Sequence, residues 1–122
     1  MKNFFEHTSK RFAMIGSGSW ATALIKILLQ TQARVSWFVS DKAVIEHILL
    51  HRCNPYYLQS ARLDTDRLDM SNDINKVVKE ADIIIFCIPS AYFKSEIAPL
   101  SISLNDKFIV SAIVNTYFVM IQ

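Results

Sequence analysis

Glycine is scarce in this chain: there are two in 122 residues, Gly16 and Gly18, only two positions apart. So little glycine excludes collagen-like and glycine-rich linker character. Cysteine is equally rare. Cys53 and Cys87 share no CxxC spacing, which argues against a disulfide framework and a cysteine-based zinc motif. Cys87 reads as a small core residue in an apolar run and Cys53 as a free thiol in a loop; reduced thiols suit the cytoplasm. An excess of one charge is also missing. Thirteen lysines and arginines stand against eleven acids, for a net charge of +2 with no basic block. Nothing in that pattern recruits nucleic acid or an anionic membrane. No run of roughly 18 unbroken apolar residues occurs, so no membrane span is expected. Lys10-Arg11 ahead of Phe12 to Leu29 imitates a signal peptide, but both glycines and Lys26 interrupt its apolar stretch.

What is present is a globular mixture, 52% hydrophobic and 20% charged, long enough for one domain with its own core. Phe12 to Ile15 is short, apolar and bounded by Gly16, as a buried strand is. Ser19 to about Gln30 reads as a helix with Ala23, Leu24, Ile27 and Leu28 on one face. Arg34 to Val39 reads as a second strand. Asp41 opens a helix from Lys42 to His51, with Val44, Ile45, Ile48 and Leu49 recurring at helical spacing, and Asn54-Pro55 ends it. A polar loop runs from Cys53 to Asp66, and a short strand follows at Arg67 to Met70. Ser71 or Asn72 caps a helix to about Glu80 with Ile74, Val77 and Val78 inward. Ile83 to Ile88 is apolar throughout, as in a strand covered on both faces. Ser90 to Ile97 reads as a helix and Lys107 to Ile113 as a last strand. The strict alternation predicts an α/β fold, a Rossmann-type doubly wound parallel sheet.

The two glycines fall where the first strand turns into the first helix. Gly16-Ser17-Gly18-Ser19-Trp20-Ala21 is a G-x-G-x-x-A. In that pattern the first glycine permits the turn, the second admits a pyrophosphate, and the small third residue packs helix on strand. The helix N-terminus offers N–H groups and its positive dipole end, and Ser17 and Ser19 add hydroxyls. An acid at the end of the second strand binds the ribose 2′-hydroxyl of NAD, and an arginine accommodates the 2′-phosphate of NADP. Here Ser40-Asp41 stand there. Asp41 serves either the ribose or the N-cap of the next helix, so the choice between NAD and NADP stays open. Catalytic candidates are sparse and none is assigned. His7 lies in the N-terminal tail, and His47 and His51 lack a third ligand, so no metal is expected.

Beyond the glycines the string continues as Trp20-Ala21-Thr22-Ala23-Leu24. The whole resembles the opening pattern G-x-G-x-W-[GA]-T-A-L of the NAD(P)-dependent glycerol-3-phosphate dehydrogenase family. Val35-Ser36-Trp37 resembles that family's second strand, and Asn54, Tyr57 and Leu58 its N-x-x-Y-L loop. Ala81-Asp82-Ile83-Ile84-Ile85 through Ile88-Pro89-Ser90 resembles its A-D-I-I to V-P-S strand, with Phe93 at the aromatic position. The resemblance implies a dinucleotide site in which Ser19, Trp20, Tyr57, Pro89 and Phe93 surround the glycine loop. It also implies hydride exchange between the cofactor and the carbon shared by glycerol 3-phosphate and dihydroxyacetone phosphate.

Three departures qualify the resemblance. Val39-Ser40 stands where the family often carries a basic residue, and Gln59 replaces a proline. Ser111-Ala112-Ile113-Val114-Asn115 occupies the place of S-A-x-K-G, so the substrate-contacting lysine is missing. The expected organisation is a tail at 1–10, a partial dinucleotide-binding domain at 11–113, and a divergent tail at 114–122. The family's helical C-terminal domain is expected to be absent, through a frameshift or early stop after Ile113. A chain of this kind is expected to bind NAD or NADP, to be inactive alone, and to meet glycerol 3-phosphate only if the missing domain is supplied. Bared apolar surface would favour self-association. A non-catalytic dinucleotide-sensing module and a non-binding remnant are the alternative readings.

Overall fold

The computed structural model describes residues 10–112. The tails that hold His7 and Val114 to Gln122 lie outside the described residues. Five four-residue strands are β1 Phe12–Ile15, β2 Val35–Phe38, β3 Leu68–Ser71, β4 Ile83–Phe86 and β5 Phe108–Ser111. They alternate with helices α1 Ser19–Thr31, α2 Lys42–His51, α3 Ile74–Lys79 and α4 Ser90–Ile97, and a 3-10 turn at Thr65–Arg67 precedes β3. Every strand pair is parallel, in the order β3-β2-β1-β4-β5. The order reverses between β1 and β4, which opens a crevice at their carboxyl ends, the place where such sheets bind ligands.

Registration explains the two cores. Phe12 lies level with Val35 and Ile83, and Met14 with Trp37 and Ile85. These side chains share one sheet face, and Ala21, Ile25, Leu28, Leu29, Val44 and Ile48 of α1 and α2 cover it. The alternate positions Ala13, Ile15, Phe38, Ile84 and Phe86 point to the other face, beneath Ile74, Val77 and Val78 of α3 and Phe93 and Ile97 of α4. The helices therefore divide two to each side, as the predicted doubly wound sheet requires. β1 and β4 are buried at every position because both faces are covered.

Helical phase departs from the sequence reading in two places. The buried face of α1 is Ala21, Thr22, Ile25, Leu28 and Leu29, with Ile27 exposed. On α2 only Val44 and Ile48 are buried, and Leu49 is exposed. The sheet beneath covers a narrower stripe than the apolar residues could fill. The cap of α3 also moves. Asp73, rather than Ser71 or Asn72, accepts from the N–H groups of Asn75 and Lys76, because Ser71 is still the last residue of β3. Among the described residues, no helix is long and apolar enough to cross a membrane.

Candidate functional site

The loop between β1 and α1 is fixed by strand β4 beneath it. Gly16 has φ +126°, and a Cβ there would come 2.1 Å from the Cys87 carbonyl oxygen. Only glycine fits both the torsion and the space. Trp37, fully buried on β2, holds the same residue from the other side: its indole Nε1–H donates to the Gly16 carbonyl at 2.6 Å. Asn54, also fully buried, donates from Nδ2 to the Ser17 carbonyl at 3.0 Å and to Thr22 Oγ1 at 3.1 Å. Its Oδ1 accepts from the N–H groups of Tyr56 and Tyr57. One side chain thus straps the tyrosine loop onto the glycine loop.

Gly18 is a different case. Its φ of −77° and ψ of −169° suit any residue, and a Cβ built on it meets nothing within 4 Å. Neither backbone strain nor packing within the protein requires glycine there. The open space at Gly18 suits a group from outside that approaches the backbone closely. Gly18 is also the N-cap of α1 and supplies no side-chain cap, and the first turn of α1 carries no acid. α4, whose N-cap is Pro89, is likewise uncapped by a side chain. By contrast, Asp41 caps α2 and Asp73 caps α3. The two helices that follow β1 and β4 therefore start uncapped at the crevice, where their N–H groups suit an anion.

Two adjoining hollows meet at Gly18. One, of about 190 Å³, is lined by Gly16, Ser17, Phe38, Ser40, Tyr57, Pro89, Tyr92 and Glu96 among others. The other, of about 250 Å³, is lined by Ser19, Trp20, Ala21 and Ala112. Gly18, Cys87, Ile88 and Pro89 border both. Of the residues singled out in the sequence, Gly16, Ser17, Gly18, Ser40, Tyr57 and Pro89 gather in the first hollow, and Ser19, Trp20 and Ala21 in the second. Asp41 and Phe93 line neither. Asp41 spends its Oδ1 on the Ala43 N–H. Phe93 turns away and packs edge-on against Phe86, with ring centroids 5.6 Å apart; its neighbour Tyr92 faces the cleft instead. Sequence reasoning missed Tyr92, Glu96 and the strap role of Asn54. A polar residue ahead of Pro55 was the available signal for the last of these.

The cleft has little chemistry of its own. Burial pushes the Cys87 thiol up to about 11, so it stays protonated and inert near neutral pH. Among the described residues, the other lining groups with a titratable side chain are Tyr57, Tyr92 and Glu96. Among the described residues, no group of three or more His, Cys, Asp and Glu side chains could hold a metal ion; His47 and His51 pack ring against ring, 4.4 Å between centroids. A larger hollow lies toward the amino ends of β1 and β2, lined by Arg11, Arg34, Asp69 and Glu80. Four of the charges lining it pair with each other, Arg34 with Asp69 at 2.6 Å and Arg11 with Glu80 at 3.2 Å, and Lys76 lines it as well.

Comparison with known proteins bears on this cleft. The family model described as the NAD-dependent glycerol-3-phosphate dehydrogenase N-terminus matches residues 11–114. The chain is 33% identical over 94 residues to a glycerol-3-phosphate dehydrogenase (NAD(P)+) of Parafrankia sp. (strain EAN1pec), covering 75% of this chain and 28% of that protein. It is 29% identical over 104 residues to the enzyme of that name from Pseudomonas syringae pv. syringae (strain B728a), covering 85% and 30%. The chain thus spans less than a third of the length of these relatives. In fold it resembles the glycerol-3-phosphate dehydrogenase of Saccharomyces cerevisiae, with a TM-score of 0.74 at 23% identity over 87% of this chain and 34% of that one. The Coxiella burnetii structure gives 0.72 at 20% identity over 89% and 33%.

Proposed function

Since this chain belongs to the NAD-dependent glycerol-3-phosphate dehydrogenase N-terminal family, we propose that its cleft binds the dinucleotide NAD or NADP. The observation that carries the reading is Gly18. The protein itself gives no reason for glycine at that position, but a pyrophosphate does, because it must approach the α1 backbone where a Cβ would project. The two hollows that meet there suit the two nucleoside halves that a pyrophosphate joins. Gly16, Ser17, Gly18, Ser19, Trp20 and Ala21 would hold the pyrophosphate region. Ser40, Asp41 and Tyr57 would stand on the adenosine side, with Tyr92 in the aromatic place that the sequence reading gave to Phe93.

When bound, the nicotinamide supplies a hydride acceptor or donor. The whole family reaction would interconvert glycerol 3-phosphate and dihydroxyacetone phosphate, which also requires a group to move the hydroxyl proton. Cys87, protonated well past neutral pH, does not offer one, and the tyrosines and Glu96 line the cleft on the β2 side of Gly18. In this reading the described cleft binds cofactor and does not itself supply the proton-transferring group. Two free cysteines, one of them buried, accord with a cytoplasmic setting. Self-association through the exposed β5 completes the reading.

Fluorescence titration tests it. Trp37 touches the Gly16 carbonyl and Trp20 lies on the cleft wall, so both report on the loop. Saturable change with NADH or NADPH is the expected result. A chain shown by circular dichroism to be folded, yet silent to both, would defeat the proposal.

A further inference from the structure

Resting on the dinucleotide reading above, we propose that the cleft selects NAD over NADP, and that Ser40, Asp41 and Glu96 make the choice. The two cofactors differ by one phosphate on the adenosine ribose, a group that carries between one and two negative charges near neutral pH, as phosphomonoesters do. Proteins read that position at the end of the second strand of the fold. Here β2 ends at Phe38 and Val39 is fully buried, so Ser40 is the first side chain beyond the strand able to reach the cleft, and it lines it. A serine hydroxyl can hydrogen-bond a ribose hydroxyl but cannot balance a phosphate.

The charge that lines the cleft with it has the wrong sign for NADP. Among the described residues, no lysine, arginine or histidine lines either hollow, and the only formally charged lining residue is Glu96, one turn after Tyr92 on α4. Asp41 follows Ser40 directly. Its bond to the Ala43 N–H places a carboxylate on the N-terminus of α2. That terminus lies two residues after Ser40, and an internal anion already sits on it. The nearest cation in sequence, Lys42, is the first residue of α2 and does not line the cleft. A 2′-phosphate in the cleft would thus meet the Glu96 carboxylate and no cation among the described residues, whereas a 2′-hydroxyl finds acceptors.

The test is a paired titration of the whole chain with NADH and NADPH, followed by tryptophan fluorescence. NADPH is expected to bind at least about tenfold more weakly, the size expected of an uncompensated like-charge contact. S40R supplies the missing cation and should narrow the ratio by about tenfold or invert it. D41N keeps an acceptor for the Ala43 N–H while removing the charge, and should narrow the ratio with little loss of thermal stability. K42A should leave the ratio unchanged. Equal or tighter NADPH binding by the unaltered chain overturns the selectivity and leaves the dinucleotide reading standing. So does a ratio that neither S40R nor D41N moves, or NADPH binding that K42A abolishes. A folded chain that takes up neither nucleotide overturns both.

Discussion

At Gly16 the Cys87 carbonyl stands where a Cβ would go, and φ is +126°. Gly16→Ala must move strand or loop, so we expect a loss of more than about 2 kcal/mol in urea unfolding. Gly18→Ala meets no atom within 4 Å. It gives up some N-cap preference and gains from a less flexible unfolded chain, so its stability should stay within about 1 kcal/mol of the parent. Its NADH affinity should nevertheless fall by about tenfold or more, because the new methyl occupies the space of the pyrophosphate. If Gly18→Ala binds NADH as the parent does, the role given to that glycine is wrong. Cys87 supports a second expectation. Its thiol is raised from an ordinary 9.0 to about 11 by burial. The folded state favours the protonated form, so this contribution to stability is complete below about pH 9 and is lost as pH climbs toward 11. At pH 8 a thiol reagent should modify the half-buried Cys53 first, and Cys87 only on unfolding. Equal labelling rates for the two in the native chain would contradict its placement.

The helices and loops owe their positions to a few polar side chains. Asn54 makes four hydrogen bonds, to Ser17, Thr22, Tyr56 and Tyr57. Asn54→Ala leaves buried groups unpaired and frees the Tyr57 loop. It should cost about 2–3 kcal/mol in unfolding and weaken NADH binding as well. An unchanged urea midpoint would show that the strap is dispensable. The sequence makes some of these elements readable and hides others. α2 and α4 have the predicted bounds because Asp41 supplies the N-cap of α2 and Pro89 marks the start of α4. α3 follows Ser71-Asn72-Asp73, three residues that can each cap, and only the end of β3 decides that Asp73 does. Tyr92 and Phe93 are adjacent aromatics on a helix of eight residues. Which one faces the cleft depends on how α4 lies over Phe86, and spacing alone does not carry that. Leu49 and Ile27 fit an apolar helical stripe but fall beyond the width of sheet available to bury them.

At the scale of the molecule, alternation of strands and helices implies a parallel sheet, because each return to the same edge needs a crossover helix. The order β3-β2-β1-β4-β5 adds what the alternation lacks: it puts the glycine loop at the reversal point and β5 at an edge among the described residues. β5 is unlike the inner strands. Phe108 is 61% and Ile109 42% exposed, whereas every residue of β1 and β4 is buried. An apolar strand at an edge offers both side chains and backbone groups to another chain. Sedimentation velocity over a hundredfold range of concentration, roughly micromolar to a tenth millimolar as such association requires, should show a coefficient that rises with concentration. Ile109→Lys places a charge on the exposed side of that edge and should flatten the rise. Because Ile109 lines neither hollow at the glycine loop, the same variant should bind NADH as the parent does. A coefficient that stays flat for the parent chain would exclude β5 as a self-association edge. A rise that persists in Ile109→Lys would move the contact elsewhere, with the exposed Leu49 and Leu50 of α2 the next surface to alter.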